Sequence, residues 1–527
     1  MGLFDHIPVK FINHRNFYLL GLAVIIAGVA WSNFLMSLGN LILLFNYLLE
    51  LDFSRKLKEL KSQKLILVLL SLPLVHFVGL IWTSDFGYAQ KDILNKVILI
   101  TLPIIIGTSK RLNQKELKGQ IGVYLSTVLI LSIFSLAKFL GYWGETIIDK
   151  RDLSILISHI RYGLNFAMAI VLIFYLFKKF NSFFKTILTA LSIWFIACLF
   201  LFELTTGLVC LMAAISSVIA IRLWSHRTKF VYKLSLLVLA VILCLGVVWE
   251  IKQVYNGYYQ AIELDYDQNN YKVKTLQGKR YYHNKKSDLK VNGVYLWRFI
   301  QGDELEVEWN KRSSINYDSL DRKGQPLTHT LVRFLSSRGF KKDSAGISSL
   351  TDADITAIEN GVANAYYLYH NPIQNRIHRT IYEFENYKES GVINGFSLIM
   401  RYEYWKNTWS IIKENSALGV GTGDIKDEIK KAYDNRNSQL TEKFRKRTHN
   451  QYLTIWGTLG IFGLLVFLVY LIYPVFLVDK TNRRLYFIFF VIAALSYITE
   501  DTLETQAGVT FIALFNSLIL LGFPTKK

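Results

Sequence analysis

The sequence predicts an all-α polytopic membrane protein with about twelve transmembrane helices and a large mixed α/β extracytoplasmic loop between the ninth and tenth. Hydrophobic residues make up 52% of the 527 residues, and long apolar runs recur along the chain. A run of about 20 apolar residues crosses the roughly 30 Å hydrocarbon core as a helix. Continuous runs of this kind fit helices and not the alternating strands of a barrel. The short loops between the runs also alternate in charge.

The predicted spans form two groups, nine before the large loop and three after it. They cover residues 17–31, 34–51, 64–83, 92–109, 119–141, 161–178, 185–204, 206–224, 231–250, 452–476, 484–499 and 507–523. The first two are short and are also compatible with a hairpin, which would leave eleven spans. The loop between the two groups divides the chain into a membrane domain at 1–250, a loop domain at 251–450 and C-terminal membrane helices at 451–527.

Basic residues mark one side of the predicted membrane. With the N-terminus inside, the cytoplasmic loops carry clusters of lysine and arginine, as the positive-inside rule requires. These clusters are Arg55, Lys56, Lys58, Lys61 and Lys64; Lys110, Arg111, Lys115 and Lys118; Lys178, Lys179 and Lys185; Arg222, Arg227, Lys229 and Lys233; and Lys480, Arg483 and Arg484. Three of the five short outer loops contain no Lys or Arg; the others contain Lys91, and Lys150 with Arg151. The net charge of +20 therefore indicates orientation and not a nucleic-acid partner.

Both chain ends are predicted to be cytoplasmic. The first sixteen residues contain His6, Lys10, His14 and Arg15, and the chain ends in Lys526 and Lys527. The first apolar run lacks a small-residue cleavage site and continues into the next run, so we expect a retained helix and not a signal peptide.

The large loop reads as strands followed by helices. Glu304-Leu-Glu-Val-Glu-Trp309 alternates as a strand does, and Asn292-Gly293 is typical of a hairpin turn. Helical pattern begins near residue 328, and Thr351 with Asp354 predicts a capping box. Further helices are predicted at 374–388, about 397–414 and about 424–434.

The sequence offers no metal or cofactor motif. Cys198, Cys210 and Cys244 all fall inside predicted spans, so we expect packed thiols and no disulfide. No HExxH motif or paired Cys/His spacing is present. The pairs Asp265/Asp267 and Asp352/Asp354 are expected to be capping or solvated loop residues. No metal and no cofactor are therefore expected.

Unusual polar residues gather at one predicted face of the membrane, the outer one. They are His159 and Arg161; Glu203, Thr205 and Thr206; His449 and Asn450; and Glu500, Asp501, Glu504 and Gln506. Ionisable groups at membrane boundaries are costly to bury and usually functional. Their shared side suggests one extracytoplasmic site.

Each candidate also has a structural interpretation. Arg161 is either a snorkelling arginine or an anion ligand that presents a guanidinium fork to phosphate. Arg401 is either a surface residue of a soluble helix or an interfacial residue beside its aromatic neighbours. His449 is either a hydrogen-bonded helix-start residue or a general base. His159 lies about 200° from Arg161 on a helix, so the two are not expected to share one contact.

The acidic and glycine-rich candidates are equally open. Glu203 and Glu500 either orient a base or bind sugar hydroxyls, or lie in turns open to water. The segment Gly419-Val-Gly-Thr-Gly-Asp424 lacks the Lys-Ser/Thr of a nucleotide-binding loop. It is expected to be a tight connector, with an anion-binding backbone nest as the alternative.

One segment resembles the bacterial O-antigen ligase and O-antigen polymerase family, which are membrane glycosyltransferases of the C-type fold. The resemblance rests on motifs in a fixed order: Arg401-Tyr-Glu-Tyr-Trp405, Ile411-Ile-Lys-Glu-Asn415, Gly419-Val-Gly-Thr-Gly423, Thr448-His-Asn-Gln-Tyr-Leu453, Gly457-x-x-Gly460 and Gly463. Glu500-Asp-Thr-Leu-Glu-Thr-Gln506 is similar to a subset of members. The specific match covers about 120 residues and the topology match the whole chain.

The resemblance implies a function and a set of roles. Members transfer a glycan from a lipid diphosphate, usually undecaprenyl diphosphate, to an acceptor hydroxyl outside the bacterial inner membrane, in lipopolysaccharide and polysaccharide biosynthesis. Carried over by motif, Arg401 would bind the diphosphate and His449 would activate the acceptor. Arg161 would be the second diphosphate ligand by its place at the start of a mid-chain span. His159, Glu203, Asn450, Glu500 and Glu504 would support them. Many members have a Ser-Arg pair where this chain has Thr205-Thr206-Gly207, so any role of that arginine is absent or moved.

Several alternatives remain open from the sequence. The acceptor is the lipid A core, a growing polymer or a protein hydroxyl, so a ligase, a polymerase and a protein O-glycosyltransferase of one family all fit. A transporter of lipid-linked sugars is a rival from another class, although no inverted repeat and no midplane polar cluster support it. A binding or sensing protein that works through its loop is a third.

Overall fold

The computed structural model describes residues 13–142, 150–224, 230–260 and 262–525. The described residues cluster into two compact units. The first comprises residues within 1–145, 151–229 and 401–527, and the second comprises residues within 146–150 and 230–400. His6, Lys10, Arg227, Lys229 and the terminal lysines, which the topology prediction used, lie outside the described residues.

The first unit is helical throughout its described part. Its N-terminal helices are α1 (His14–Trp31), α2 (Asn33–Leu49), α3 (Phe53–Ser62), α4 (Lys64–Val78), α5 (Phe86–Lys96), α6 (Ile98–Thr108), α7 (Gln114–Phe139), α8 (His159–Leu176), α9 (Ser182–Leu201) and α10 (Thr205–Trp224). The second unit holds α11 (Phe230–Tyr259), β1 (Lys290–Val291), β2 (Val294–Tyr295), α12 (Gly302–Arg312), α13 (Leu327–Ser337), α14 (Ser344–Ser348), α15 (Asp352–Glu359), α16 (Tyr366–Tyr369) and α17 (Pro372–Ser390). The chain returns to the first unit at Arg401, within α18 (Ser397–Glu414). The remaining helices of that unit are α19 (Ile425–Asn435), α20 (Gln451–Ile472), α21 (Pro474–Leu477), α22 (Arg483–Thr499) and α23 (Gln506–Ser517).

Helices appear at every predicted span. Within the described residues, six are long and apolar enough to cross a membrane, and the bent pair α2–α3 makes a seventh if it is one span. Shorter apolar helices lie at Lys64–Val78 and Gln506–Gly522. The chain is therefore an all-α polytopic membrane protein. The helix predicted over 92–109 is interrupted at Val97, between α5 and α6.

Backbone contacts between two glycine-rich segments hold the C-terminal part of the first unit together. The connector from α18 to α19 donates Val420 N to Gly457 O at 3.0 Å and Gly421 N to Thr458 O at 2.9 Å. A Cβ on Gly460 would lie 2.0 Å from the Ala417 carbonyl oxygen, so no side chain fits there. Gly460 also has φ +66° inside α20, a conformation that glycine adopts readily. The segment predicted as a tight connector is one, and it fastens α18 to α20.

The second unit has its own apolar core. Trp309, Leu305, Leu331, Phe334 and Ile358 are fully buried in it. The predicted hairpin at Asn292-Gly293 is present, with Val291 paired to Val294 in antiparallel register and φ positive at both turn residues. The Thr351–Asp354 capping box is also present, at the start of α15.

One local prediction for the loop is wrong. The segment 304–309, expected to be a strand, lies within α12. Leu305 and Trp309 are four residues apart and both face the core, while Glu306 and Val307 are exposed. Burial at a spacing of four suits one face of a helix, and the alternation in the sequence reflects its glutamates and not a pleated surface. The regular secondary structure of the described part of this loop is accordingly helical apart from one short hairpin, whereas residues 262–289 form turns and isolated bridges.

Close packing of α8 on α10 gives a testable expectation. A Cβ on Gly163 would meet the Gly207 backbone nitrogen at 2.9 Å, whereas a Cβ on Gly122 of α7 meets nothing within 4 Å. Gly163→Leu should therefore destabilise the protein by about 1–3 kcal/mol, the usual cost of overpacking. Thermal unfolding in detergent measures this, with Gly122→Leu as the matched control. Equal melting temperatures for the two variants would contradict the packing.

Candidate active site

The first unit brings together four segments that the sequence places far apart. They are the start of α8, the residues of α18 from Arg401 onward, the stretch that enters α20, and the turn 500–505 between α22 and α23. The turn is the common element, because each of the other three interacts with it.

The backbone at His449 is held by a buried carboxylate. Asp501, which is fully buried, accepts His449 N at 2.9 Å, Asn450 N at 3.0 Å and the Thr454 hydroxyl at 2.7 Å. His449 has φ +50°, a left-handed conformation that is uncommon for a residue with a side chain. Strain of this kind persists where surrounding contacts over-determine it. Asp501 supplies those contacts and so fixes where the imidazole begins.

The His449 side chain faces Glu500. Its Nδ1 lies 3.2 Å from both carboxylate oxygens of Glu500, and the His449 side chain is 29% exposed. Burial alone would raise the pKa of the Glu500 carboxyl, but the hydrogen bond with His449 and the charges of Arg161 and Arg401 together lower it. With the carboxylate accepting the Nδ1 proton, Nε2 carries the lone pair of a neutral imidazole.

Arg161 lies on α8 one turn from its start and is 4% exposed. Its guanidinium donates to the Thr502 hydroxyl at 3.2 Å, the Thr502 carbonyl at 3.4 Å and the Thr505 hydroxyl at 3.3 Å. Gly508 leaves the space for it, since a Cβ there would lie 2.7 Å from Nη2. These hydrogen bonds are long, and their acceptors are uncharged oxygens. The buried guanidinium interacts with the Glu500 carboxylate through charge.

Arg401 contributes a second positive charge from α18. The side chain is half-buried, and within the described residues no hydrogen bond or ion pair involves its guanidinium, although its charge acts on Glu500. Two contacts hold α18 against the stretch before α20. The Thr408 and Thr448 hydroxyls lie 2.8 Å apart, and the Tyr404 hydroxyl donates to Phe444 O at 2.8 Å. Arg401 therefore lies on a helix that is held in place by these contacts, and its guanidinium has N–H donors available to a ligand.

Glu504 belongs to a buried ion network beside the turn. Its carboxylate lies 3.3 Å from the Lys96 Nζ and accepts from Gln451 Nε2 at 3.1 Å. Lys96 is also paired with Asp92 on α5. Burial would raise the pKa of Glu504, but the charges of Lys96 and Arg447 outweigh it and the pKa is lowered. The network anchors the turn to α5 and α20.

Three further residues of the predicted site, His159, Glu203 and Asn450, have contacts of their own. His159 Nε2 lies 3.3 Å from the Glu203 carbonyl, so these two meet each other. The turn contacts described above come from Arg161. Asn450 is the N-cap of α20, its side chain accepting Leu453 N at 3.2 Å. Its observed contacts are those of a helix cap.

Two basic residues that the sequence analysis did not single out for the site, Lys96 and Arg447, also contact the turn. Lys96 had no signal in the sequence beyond its place in an apolar run, and a buried lysine there needs the carboxylates that only the fold supplies. Arg447 donates to the Glu504 carbonyl at 3.2 Å. It stands two residues before His449, within the basic run Arg445-Lys-Arg447, where it looks like a solvated residue.

The arrangement has a clear chemical capacity. Guanidinium groups and an imidazole–carboxylate pair lie around one turn, which suits binding of a phosphorylated anion next to a group that accepts a proton. Within the described ranges, no three His, Cys, Asp or Glu side chains are grouped as metal ligands would be.

The family model described as O-Antigen ligase matches residues 361–468 of this chain. The match covers about a fifth of the chain and supports its resemblance to the O-antigen ligase and polymerase family. No curated protein matches it.

The matched region contains Arg401, the glycine connector and His449, whereas Arg161 and Glu500 lie outside it. The match supports a membrane enzyme of the glycosyltransferase type that uses a lipid-linked glycan donor and a glycan acceptor. The contacts around the turn join the matched region to residues on both sides of it in the sequence.

The His449–Glu500 pair predicts a pH dependence of stability. The folded pKa of Glu500 lies below its ordinary value of about 4.3. The pair therefore contributes stability above that pH, and the contribution is lost as pH falls through the folded pKa. The melting temperature of wild type minus that of Glu500→Gln should be positive at pH 7 and shrink below pH 4. A difference that stays constant from pH 7 to pH 3 would rule the contribution out.

Proposed function

We propose that this protein is a periplasmic-face glycosyltransferase of the O-antigen ligase type. It moves a glycan from undecaprenyl diphosphate to an acceptor hydroxyl, without a metal and with inversion at the anomeric carbon. The observation that supports the proposal is the contact between His449 Nδ1 and Glu500, a carboxylate that also interacts through charge with Arg161 and Arg401.

In this proposal, Arg161 and Arg401 bind the diphosphate of the donor. A guanidinium offers paired N–H donors that match phosphate oxygens, and it keeps its charge when buried. Arg401 has uncommitted donors, and the bonds of Arg161 to neutral threonine oxygens are long enough to be exchanged for bonds to an anion. Donors aimed at a leaving diphosphate stabilise the charge that develops on it.

His449 is the general base. Glu500 fixes the tautomer in which Nδ1 carries the proton and Nε2 accepts one, and it stabilises the imidazolium that forms. The positioned carboxylate of a Ser-His-Asp triad acts on its histidine in the same way.

The reaction is a single displacement. The acceptor oxygen attacks the anomeric carbon, its proton passes to Nε2 of His449, and the bond between that carbon and the diphosphate oxygen breaks. The bonding electrons leave with undecaprenyl diphosphate, and the new glycosidic bond has the opposite configuration. The leaving group is already good, so the site needs charge stabilisation more than a strong acid.

We also propose the finer topology that the sequence predicts. Twelve helices cross the bacterial inner membrane, both termini are cytoplasmic, and the large loop is periplasmic. The charge clusters in the short loops support this orientation. The acceptor is a lipid A core sugar, a growing polymer or a protein hydroxyl, and the surface glycans lost on deletion of the gene identify which.

Removing either the base or a diphosphate ligand should abolish transfer. His449→Ala and Arg401→Ala are each expected to lower donor consumption in proteoliposomes by at least 100-fold, because proton transfer alone contributes about 10²–10⁴-fold. His370→Ala and Lys413→Ala are the matched controls, since both side chains are exposed and Lys413 lies on the same helix as Arg401.

The outcome separates the enzyme from its rivals. Wild-type protein that translocates the lipid-linked glycan without consuming it would identify a transporter, and wild-type protein that only binds it would identify a sensor. Full transfer by His449→Ala would remove the proposed base.

The topology has its own test. A reporter that is active only in the cytoplasm should work when fused after residue 525, and one that is active only in the periplasm should work when inserted after Gly324, an exposed turn glycine with open space around it. The reverse pattern would place the site on the cytoplasmic face and end the proposal in its present form.

A further inference from the structure

Arg447 is a third guanidinium at the turn that carries the proposed site. Its Nη1 donates to the Glu504 carbonyl at 3.2 Å, and Arg161 donates to the carbonyl and hydroxyl of Thr502 and to the Thr505 hydroxyl. Both cations thus bond to one stretch of four residues. Their charges also act on each other.

The position of Arg447 follows from the contacts around it. It lies two residues before His449, whose backbone is fixed by Asp501, and its side chain also interacts with Tyr88 of α5. The side chain is half-buried. The fixed backbone and the side-chain contacts with Tyr88 and the Glu504 carbonyl therefore position Arg447, while part of its side chain remains exposed.

Arg447 shares the charge compensation of the turn with other groups, because its charge acts on both Asp501 and Glu504. Glu504 already has Lys96 at 3.3 Å from its carboxylate, and the hydrogen bond from Arg447 goes to the Glu504 carbonyl instead. Asp501 has the His449 and Asn450 amides and the Thr454 hydroxyl. Within the described residues the hydrogen bonds of Arg447 go to the Glu504 carbonyl and to Tyr88, so Arg447 interacts with the carboxylates through charge and not through a direct hydrogen bond.

The hydrogen-bonding capacity of Arg447 is also incompletely used. A guanidinium has five N–H donors. The Glu504 carbonyl and the Tyr88 side chain account for only part of them within the described residues. The non-bridging oxygens of a diphosphate each accept more than one hydrogen bond, and Arg161 already donates to Thr502 and Thr505, so the remaining donors of Arg447 add to those of Arg401.

We infer that Arg447 is a ligand of the donor diphosphate, completing a three-arginine site with Arg161 and Arg401. The inference rests on the proposed function and adds a substrate-binding residue to it. The neighbouring Arg445 is excluded from this role, because it bonds to the Leu440 carbonyl at 3.0 Å and pairs with Asp434 at 2.5 Å.

The test measures binding of undecaprenyl diphosphate to the purified full-length protein in detergent. Arg447→Gln should weaken binding at least tenfold. Arg447→Lys, which keeps one charge and one donor to the turn, should weaken it less but measurably. Arg445→Gln is the matched control and should bind as wild type does. Melting temperatures of all variants report whether the turn is intact.

The outcomes are separable. If Arg447→Lys has the wild-type melting temperature and also binds undecaprenyl diphosphate within twofold of wild type, Arg447 serves the fold alone and the inference is overturned. If Arg447→Gln does not fold, Arg447→Lys decides by the same comparison. If wild type itself does not bind the diphosphate, the proposed function and the inference both fail; if it binds and only the Arg447 variants are unaffected, the function stands without the third arginine.

Discussion

A buried carboxylate, that of Asp501, sets the geometry on which the rest of the site depends. It accepts two backbone amides and one hydroxyl at the start of α20, and so joins the stretch containing His449 to the turn containing Glu500. Charge-assisted bonds of this kind contribute about 1.5–3 kcal/mol each, and the helix N-terminus favours a negative charge there. Since Asp501 and Glu500 are adjacent, the same turn that fixes the histidine backbone also presents the carboxylate to its imidazole.

A second contact, between the glycine connector and α20, also sets the geometry of the site. Gly419 brings the connector against the backbone of α20 at Thr458 and Gly460, where a Cβ on Gly419 or on Gly460 would overlap with main-chain atoms. Backbone hydrogen bonds then replace those that α20 loses at its break. The contact fixes α18 relative to α20, and it thereby sets where Arg401 stands relative to His449. Motif glycines that look like turn residues in the sequence are therefore interface residues.

The buried charges of the first unit indicate function for a physical reason. Lys96, Asp92 and Glu504 form a network in which every charge has an opposite partner, and Arg161 is buried against neutral oxygens with its charge compensated by Glu500. Burying such groups costs several kcal/mol each before pairing, and apolar side chains would fill the same space at lower cost. A chain that keeps them at the boundary of its apolar helices keeps them for binding or chemistry. The placement of these charged groups around a single turn supports the proposed binding of an anion there.

The sequence by itself determined the helices, the hairpin at Asn292-Gly293, and Arg161, His449 and Glu500 as members of one polar set, while Arg401 was marked by its motif. Those features depend on local periodicity, turn chemistry and the cost of polar groups in lipid, all of which are written in short stretches of chain. Tertiary structure alone decided that 304–309 is helical, because burial of Leu305 and Trp309 in one core outweighs the alternation of the glutamates between them. It also decided the partners: Asp501 as the anchor of His449, Lys96 as the counter-ion of Glu504, and Arg447 as a contact of the turn. Such pairings join residues up to several hundred positions apart, and no local pattern encodes them.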